Sequence, residues 1–253
     1  MKVVGIIPAR YASTRFPGKP LALIMGKPMI QRVYEQAQQS HLDALVVATD
    51  DQRIADTVRG FGGCCVITSP NHRSGTERCR EAMDLFGEQY DAVVNIQGDE
   101  PFIDPAQINQ LIELILRDDT WIASLAKRIE EVDELFSPNT VKVVMDQQGK
   151  ALYFSRNLIP FMRGVDTKEW MVRGTYYKHV GIYAYRANTL RQIATMTPTT
   201  LETAESLEQL RWLENGLSIR MGITETENVS IDLPEDVERA ERFAENRMKT
   251  TTK

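Results

Sequence analysis

A cluster of positive charge opens the chain. Residues 1–34 contain six Lys and Arg side chains and no Asp or Glu, although the chain as a whole is net −5. Four of these cations lie in a loop rich in Pro and Gly, at Arg10, Arg15, Lys19 and Lys27. Pro and Gly at this density indicate a fixed loop, and clustered cations beside turn N–H groups suit an anion such as a phosphate. A solvated basic loop is the alternative.

Two familiar phosphate-binding motifs do not account for this loop. Gly18-Lys19 and Gly26-Lys27 are each followed by Pro, and neither pair has a Gly five residues before it. The loop is therefore not a Walker A motif. The sequence also lacks Gly-x-Gly-x-x-Gly, which excludes the dinucleotide fingerprint.

A second polar cluster follows an apolar run at residues 92–96. It contains Gln97, Gly98 and Asp99. We expect Gly98 to permit a tight bend that points its neighbours into the crevice where open α/β sheets bind ligands. A carboxylate facing a cationic phosphate loop suits Mg²⁺, which takes oxygen ligands and bridges phosphates. The alternative is that Asp99 caps the next helix, a task that Asp104 fits better.

Three further segments have the sequence of helix N-termini. Residues 74–77, Ser-Gly-Thr-Glu, fit a capping box, and such an N-terminus could also meet the polar edge of a nucleotide. Asp50 follows an apolar run, and we assign it the cap of the next helix and no chemistry. Pro234 is predicted as the first residue of the last helix.

The order of the apolar segments predicts the scaffold that must position these residues. β-branched runs at residues 3–7, 44–49, 64–68 and 92–96 alternate with helical patterns, which predicts an α/β fold with a doubly wound, mostly parallel sheet. Between about 141 and 185 an antiparallel hairpin, an irregular stretch and another strand suggest a small inserted lobe. Residues 201–213 are predicted as one amphipathic helix, whose buried stripe consists of Leu201, Ala204, Leu207, Leu210 and Leu213. We interpret residues 1–253 as a single domain carrying this lobe.

The composition excludes several classes of protein. A hydrophobic content of 42% and a charged content of 26% are ordinary for a globular chain. The mild acidity argues against nucleic-acid binding, and no apolar run approaches the roughly 18 residues of a membrane span. Cys64, Cys65 and Cys79 form neither a disulfide framework nor a zinc spacing, which predicts a reducing, cytoplasmic location.

The opening loop also resembles a known signature. The segment Pro8-Ala-Arg-Tyr-Ala-Ser-Thr-Arg-Phe-Pro-Gly-Lys-Pro-Leu21 is similar to the start of the sugar nucleotidyltransferases that activate 3-deoxy-manno-octulosonate (Kdo) with CTP. Later blocks match the same family up to about Phe243. The family commonly has Thr where this chain has Leu233, a poor N-cap. The resemblance implies a Rossmann-like nucleotidyltransferase fold.

The resemblance also implies roles for individual residues. Catalysis is implied for Arg10, Arg15, Lys19 and Asp99. Nucleotide contacts are implied for Ala9, Arg10, Ser13, Arg15, Lys19, Ser74, Thr76, Arg78 and Gln97. Sugar contacts are implied for Gln97, Arg156, His179, Tyr183, Glu208 and Gln209. Mg²⁺ ligation is implied for Asp99 and Asp232. The alternatives are a structural hydrogen bond for His179 and a helix-terminal role for Asp232.

The implied reaction joins CTP and Kdo to give CMP-Kdo and pyrophosphate, which supplies lipopolysaccharide synthesis. The alternatives are activation of sialic acid or of 8-amino-Kdo, or a catalytically silent nucleotide sensor. We also predict a homodimer through the inserted lobe, because a lobe this thin can hardly bury all of its aromatic side chains. These aromatic residues include Tyr153, Phe154, Phe161 and Trp170.

Overall fold

The computed structural model describes residues 1–12, 14–87 and 89–251, with side chains as far as residue 246. The chain forms two compact units. Unit 1 comprises Met1–Ile112 and Glu227–Lys253, and unit 2 comprises Glu113–Thr226. Within the described part of the chain, no helix is both long enough and apolar enough to span a membrane.

The described residues form α-helices, β-strands and two short 3₁₀ turns. The strands are β1 (Val3–Ala9), β2 (Leu23–Ile24), β3 (Lys27–Pro28), β4 (Ala44–Thr49), β5 (Cys65–Ile67), β6 (Ala92–Asn95), β7 (Ile122–Arg128), β8 (Lys142–Met145), β9 (Ala151–Ser155), β10 (Tyr177–Arg186) and β11 (Ile219–Ile223). The helices are α1 (Met29–Ala37), α2 (Gln52–Gly60), α3 (Gly75–Leu85), α4 (Pro105–Ile115), α5 (Val132–Phe136), α6 (Trp170–Arg173), α7 (Ala187–Ile193), α8 (Thr200–Glu205), α9 (Glu208–Glu214) and α10 (Asp236–Thr251). The 3₁₀ turns are Lys19–Leu21 and Thr167–Glu169.

Unit 1 contains the predicted parallel sheet. Strands β6, β1, β4 and β5 lie side by side in that order, and each pairing is parallel. Helices α1, α2 and α3 pack on these strands and bury them. This burial explains why the strand sequences are continuously apolar and do not alternate between apolar and polar residues. Val4, Ile6 and Ile7 of β1, for example, are fully buried. The predicted α/β class is confirmed.

The carboxyl ends of β1 and β6 lie close together. Ile6 is paired with Asn95 in the parallel register, so the residues that follow both strands emerge at the same edge. A Cβ atom at Gly98 would lie 2.8 Å from the carbonyl oxygen of Pro8. Gly98 also lies in the turn that we expected, in which the N–H of Glu100 donates to the carbonyl of Gln97 at 3.4 Å. Its missing side chain thus permits a close approach between backbones as well as the bend.

Unit 2 is built around β7. Strand β11 pairs with β7 in parallel and β10 pairs with it antiparallel, while β8 joins β10 to β9. The predicted hairpin is therefore β8–β9. The stretch expected to be irregular contains α6, and Trp170 at its start is buried with Ile129, Leu135 and Tyr176. Phe154 is also fully buried, so two of the four aromatic residues expected to need a partner chain are covered within the unit.

The predicted helix over residues 201–213 is wrong, because the structure divides it into α8 and α9. Ser206 adopts a left-handed conformation, with φ 52°, which ends α8. Leu201 and Ala204, expected in the buried stripe, are exposed, whereas Leu207 and Leu210 are buried. Because of this break, α9 is a separate helix from α8, and Glu208 is the first residue of α9.

Two of the expected helix starts are wrong and two are confirmed. Asp51, and not Asp50, caps α2, because its carboxylate accepts the backbone N–H of Arg53 at 2.9 Å. The last helix begins at Asp236, two residues after Pro234, and the Asp236 carboxylate accepts the backbone N–H groups of residues 232 and 233. Ser74 accepts the N–H of Glu77, and Asp104 accepts that of Ala106, as predicted.

Candidate active site

The basic loop of unit 1 has a defined backbone path. Gly18 lies in the left-handed region, with φ 71°, which suits glycine, and its N–H donates to the carbonyl of Tyr11 at 3.0 Å. The 3₁₀ turn from Lys19 follows directly. The predicted fixed conformation is therefore present at the end of the loop. Ser13, a predicted nucleotide contact, lies outside the described residues.

Lys19 connects the two predicted metal ligands. Its ammonium donates to the Oδ2 atom of Asp99 at 2.8 Å and to the carbonyl of Ile231 at 2.8 Å, and it lies 3.7 Å from the Oδ1 atom of Asp232. A backbone hydrogen bond from Ile231 to the Asp99 carbonyl, at 2.9 Å, joins the two segments. Arg15 donates to Asp232 at 2.9 Å. Four residues from three distant segments of the sequence thus form one charged cluster.

Two adjoining clefts flank this cluster. One, of about 200 Å³, is lined by Arg10, Arg15, Lys19, Gln97, Asp99 and Asp232, among others. The other, of about 190 Å³, shares Pro8, Ala9, Arg10 and Gln97 with the first and extends to Ser74 and Arg78. Arg10 is exposed, and no carboxylate among the described residues pairs with it. This edge of the sheet therefore presents cations, an amide and two carboxylates to a shared space.

The cluster fits a divalent cation. Asp99 and Asp232 already converge on one positively charged atom, the Lys19 ammonium, and both offer the carboxylate oxygens that Mg²⁺ prefers. Across residues 1–12, 14–87 and 89–251, no group of three or more His, Cys, Asp or Glu side chains is arranged to hold a metal. A metal here would thus have two carboxylate ligands and would need further oxygens, as Mg²⁺ bound to a nucleotide has.

Glu100 directly follows Asp99 and is buried, and the sequence suggests at most a supporting place for it beside the metal ligand. Burial, together with the neighbouring charge of Asp99, raises its pKa to about 8, although a hydrogen bond from Asn228 at 2.8 Å lowers it. A carboxyl with this pKa is largely protonated at pH 7. Asp99, and not Glu100, is the carboxyl group that lines the cleft.

The segment before α3 forms the far wall of the second cleft. Ser74 and Arg78 line the cleft, while Thr76 is buried in the first turn of the helix. The guanidinium of Arg78 is buried and donates to Thr68 at 2.5 Å and to Asp50 at 3.3 Å. Arg78 is therefore held by protein partners. Its ion pair also explains why Asp50 is not a helix cap.

Sequence reasoning missed two residues in this wall. His72 and Arg73 both line the cleft, and His72 contacts Glu81 through its Nε2 atom. Glu81 also accepts the backbone N–H of Ser69 at 2.8 Å, so it fixes the loop that carries His72. The signal was available, because these residues immediately precede the predicted capping box.

Unit 2 brings together the predicted sugar residues of β10. The rings of His179 and Tyr183 are 5.3 Å apart, despite a bulge in the strand between Val180 and Tyr183. Burial lowers the pKa of His179 to about 3, so the ring is neutral at pH 7. Ser124, which the sequence did not reveal, donates to the Ile182 carbonyl at 2.8 Å and lies 2.9 Å from the Nε2 atom of His179.

This arrangement favours one tautomer of His179. Because the single hydroxyl proton of Ser124 is used on a carbonyl, its oxygen accepts from an N–H on the Nε2 atom. The Nδ1 atom of His179 then carries a lone pair and can accept from a hydroxyl. The ring can therefore take part in recognising a polyol while it also makes the structural hydrogen bond considered as the alternative.

Helix α9 contributes to the same region. Tyr183 contacts the ring of Trp212, with centroids 5.1 Å apart. Burial, and then the charge of Glu208, raises the pKa of the Tyr183 phenol, so it remains protonated. Gln209 is buried on the first turn of α9, and no described residue forms a hydrogen bond with its amide.

The guanidinium of Arg156, predicted to contact the sugar, is bound to backbone carbonyls of the protein. Its guanidinium donates to the carbonyls of Glu205, at 2.7 Å, and Ser206, at 3.4 Å, at the end of α8. Its own carbonyl accepts from the buried ammonium of Lys142 at 2.6 Å. Arg156 thus holds the break between α8 and α9, which sets the position of Glu208 and Gln209.

Comparisons with known proteins agree with this chemistry. Residues 4–219 match the family described as Cytidylyltransferase. The 3-deoxy-manno-octulosonate cytidylyltransferase of Parabacteroides distasonis is 56% identical, with 98% of this chain and 100% of that protein covered. The enzyme of the same name from Bacteroides thetaiotaomicron is 53% identical, with 98% and 100% covered.

A solved structure is also similar over its whole length. The structure of CMP:2-keto-3-deoxy-manno-octonic acid synthetase complexed with CTP is 40% identical, with a TM-score of 0.90, and the match covers 98% of this chain and 100% of that one. A glucose-1-phosphate thymidylyltransferase from Bacillus anthracis, 18% identical with a TM-score of 0.63, shares the fold. The chain belongs to the cytidylyltransferase family, among the 3-deoxy-manno-octulosonate cytidylyltransferases.

Proposed function

We propose that this chain transfers the cytidylyl group of CTP to Kdo and releases pyrophosphate. The observation that carries the proposal is the cluster of Lys19, Asp99 and Asp232 beside two connected clefts. A triphosphate requires cations, and its metal requires oxygen ligands, and the cluster offers both. The names of the relatives and the CTP-bound structure support the choice of nucleotide and sugar.

The cations of the first loop would bind the phosphates of CTP. In the proposed reaction, a hydroxyl oxygen of the sugar bonds to the α-phosphorus of CTP while the bond to the pyrophosphate oxygen breaks. Such a transfer depends mainly on positioning and on neutralising charge. Arg10 has no carboxylate partner among the described residues, and Arg15 and Lys19 reach the same cleft, so these three would hold the triphosphate and the leaving pyrophosphate.

Asp99 and Asp232 would hold Mg²⁺. A bound Mg²⁺ supplies neutralisation of phosphate charge and fixes the orientation of phosphate oxygens. Asp99 is kept in place by the backbone hydrogen bond to Ile231, which also sets the start of the segment carrying Asp232. This hydrogen bond thus joins the two segments that carry the carboxylates in the free protein.

The unit 2 cluster would recognise the sugar. The Nδ1 atom of His179, the Tyr183 phenol and the Gln209 amide would exchange hydrogen bonds with the sugar hydroxyls, and Glu208 offers a carboxylate. Hydroxyls read by partly buried polar groups discriminate strongly, because an incorrect sugar leaves those groups unpaired. This cluster supports Kdo as the acceptor over sugars with a different pattern of hydroxyls.

We infer that the protein acts in the cytoplasm as a homodimer. Three large apolar side chains of the inserted lobe remain exposed in the single chain, with 61% exposure for Leu152, 74% for Phe161 and 86% for Val172. Exposed apolar groups of this size favour association. Light scattering at micromolar concentration should report twice the chain mass, and a monomeric mass would refute the inference.

The activity is tested by measuring pyrophosphate release from CTP with Kdo, 8-amino-Kdo and sialic acid as acceptors. We expect Kdo to be used, and Asp99→Asn and Asp232→Asn each to abolish turnover at limiting Mg²⁺ without loss of folding. Asp56→Asn, at an exposed carboxylate of the same unit, is the matched control. Faster turnover of sialic acid, or activity within about tenfold of the wild type in either site variant, would contradict the proposal.

A further inference from the structure

We propose that Tyr11 is a positioning residue, held by Arg53 and Asp51, that sets the shape of the phosphate loop. The inference rests on the proposed cytidylyl transfer, since it concerns how the cations of that loop reach the nucleotide. Arg53 and Asp51 belong to the start of α2, outside the residues that line the clefts.

The guanidinium of Arg53 is fixed by the cap of its own helix. Its Nε atom donates to the Oδ1 atom of Asp51 at 2.9 Å, and a terminal nitrogen donates to the Oδ2 atom at 2.6 Å. The backbone N–H of Arg53 donates to the same carboxylate at 2.9 Å. A carboxylate that holds a guanidinium by two bonds also fixes the plane of that group.

This plane lies against the ring of Tyr11. The central carbon of the Arg53 guanidinium is 3.4 Å from the centroid of the Tyr11 ring, a stacked cation–π contact. Tyr11 directly follows Arg10, which lines both clefts. Helix α2 therefore contacts the loop at Tyr11, the residue next to the proposed phosphate-binding cation Arg10.

The Tyr11 side chain also contacts the end of the loop. A Cβ atom at Gly18 would lie 3.1 Å from two ring carbons and the hydroxyl oxygen of Tyr11, so this side chain packs on the Gly18 backbone. The carbonyl of Tyr11 also accepts the N–H of Gly18 at 3.0 Å, which joins these two residues through their backbones. Lys19 is the next residue. Tyr11 thus links the position of Arg10 at one end of the loop to that of Lys19 at the other.

The contact has the features of a positioning device rather than of a core contact. The Arg53 side chain is 60% exposed, and exposed ion pairs contribute little to global stability. Orientation of catalytic cations, by contrast, affects the rate strongly, since a misplacement of about 1 Å can cost roughly a hundredfold. Loss of the contact should therefore appear in CTP kinetics and in loop motion, and hardly in the melting temperature.

The test compares Tyr11→Ala, Tyr11→Phe and Arg53→Ala with Arg59→Ala, an exposed arginine of the same helix with a weaker ion pair. We expect kcat/KM for CTP to fall about tenfold to a hundredfold in Tyr11→Ala and about tenfold in Arg53→Ala. Tyr11→Phe, which keeps the ring, should restore activity to within about twofold of the wild type, as should the Arg59→Ala control. The double variant of Tyr11 and Arg53 should be no worse than Tyr11→Ala, because both changes remove one contact.

Amide hydrogen exchange of residues 11–19 gives a readout that does not depend on activity. Exchange should accelerate in Tyr11→Ala and Arg53→Ala and remain at the wild-type rate in Tyr11→Phe and Arg59→Ala. Equal exchange in all four variants, or kinetics of Arg53→Ala that match those of Arg59→Ala, would overturn the inference. If the wild type fails to release pyrophosphate from CTP, the proposed function fails, and the exchange data still decide whether Tyr11 is held by Arg53.

Discussion

Replacing Lys19 by Met should change metal binding and catalysis in opposite directions. In the free protein the ammonium donates to Asp99 and to the Ile231 carbonyl, both at 2.8 Å, with only 16% of the Lys19 side chain exposed. A hydrogen bond to a charged group contributes about 1.5–3 kcal/mol, and any cation approaching Asp99 must displace this one. Removing the ammonium should therefore raise the affinity of the free protein for Mg²⁺ about tenfold to a hundredfold.

The same variant should be a poor enzyme. Without the ammonium, the pyrophosphate loses a fixed partner for the negative charge that develops on it as it leaves. This loss costs about 2–4 kcal/mol, or roughly 30- to 1000-fold in kcat/KM for CTP. Calorimetric titration with Mg²⁺ in the absence of nucleotide measures the first effect, and pyrophosphate release measures the second. Lys27→Met, which removes a more exposed cation paired with Glu35, is the matched control. Unchanged or weaker Mg²⁺ binding in Lys19→Met, or CTP kinetics equal to those of Lys27→Met, would refute the reasoning.

Three further variants test other parts of the structure. Gly98→Ala places a methyl group 2.8 Å from a carbonyl oxygen of β1 and should lower the free energy of unfolding by about 1–3 kcal/mol, whereas Gly60→Ala, with open space around it, should be neutral or stabilising in the same urea titration. Arg78→Met leaves the carboxylate of Asp50 without its buried partner and should cost about 3 kcal/mol, part of which the additional change Asp50→Asn should recover. Burial lowers the pKa of His179 from 6.5 to about 3, so between these pH values the unfolded chain binds a proton that the folded chain does not. The free energy of unfolding should therefore fall as the pH drops below about 6.5, and this fall should be smaller in His179→Gln. Urea titrations at pH 7.5 and 4.5 measure the fall in each protein. A fall of equal size in the wild type and in His179→Gln would contradict the burial of that ring.

The sheet of unit 1 could be predicted from sequence because its strands are buried on both faces. Continuous β-branched runs such as residues 3–7 and 44–49 have few alternative structures, and the breaks between them mark the ends of helices. The same logic located Asp99, because a polar residue directly after such a strand must lie at the ligand-binding edge. Asp232 was found only through the family resemblance, since no buried strand precedes it.

The errors arose where a contact distant in sequence decided the local structure. The break at Ser206 cannot be seen in the apolar spacing of residues 201–213, because it is held by Arg156, which donates to carbonyls about 50 residues away. Asp50 and Asp51 are equally good caps on local grounds. Arg78 decides between them by pairing with the first and leaving the second to cap α2.

The pairing of charges in the free site predicts that CTP and the proposed Mg²⁺ would bind cooperatively. Lys19 can leave Asp99 for a phosphate only if another cation takes its place, since otherwise a partly buried carboxylate loses its partner. Likewise, Arg15 can leave Asp232 at little cost only when that carboxylate gains a new ligand. A metal that binds alone must displace the Lys19 ammonium from Asp99 while no phosphate is present to pair with it. A triphosphate that binds alone must draw Lys19 and Arg15 away from Asp99 and Asp232. Each ligand therefore removes the penalty that opposes the other, and by linkage the affinity for CTP must rise with Mg²⁺ by the same factor as the affinity for Mg²⁺ rises with CTP.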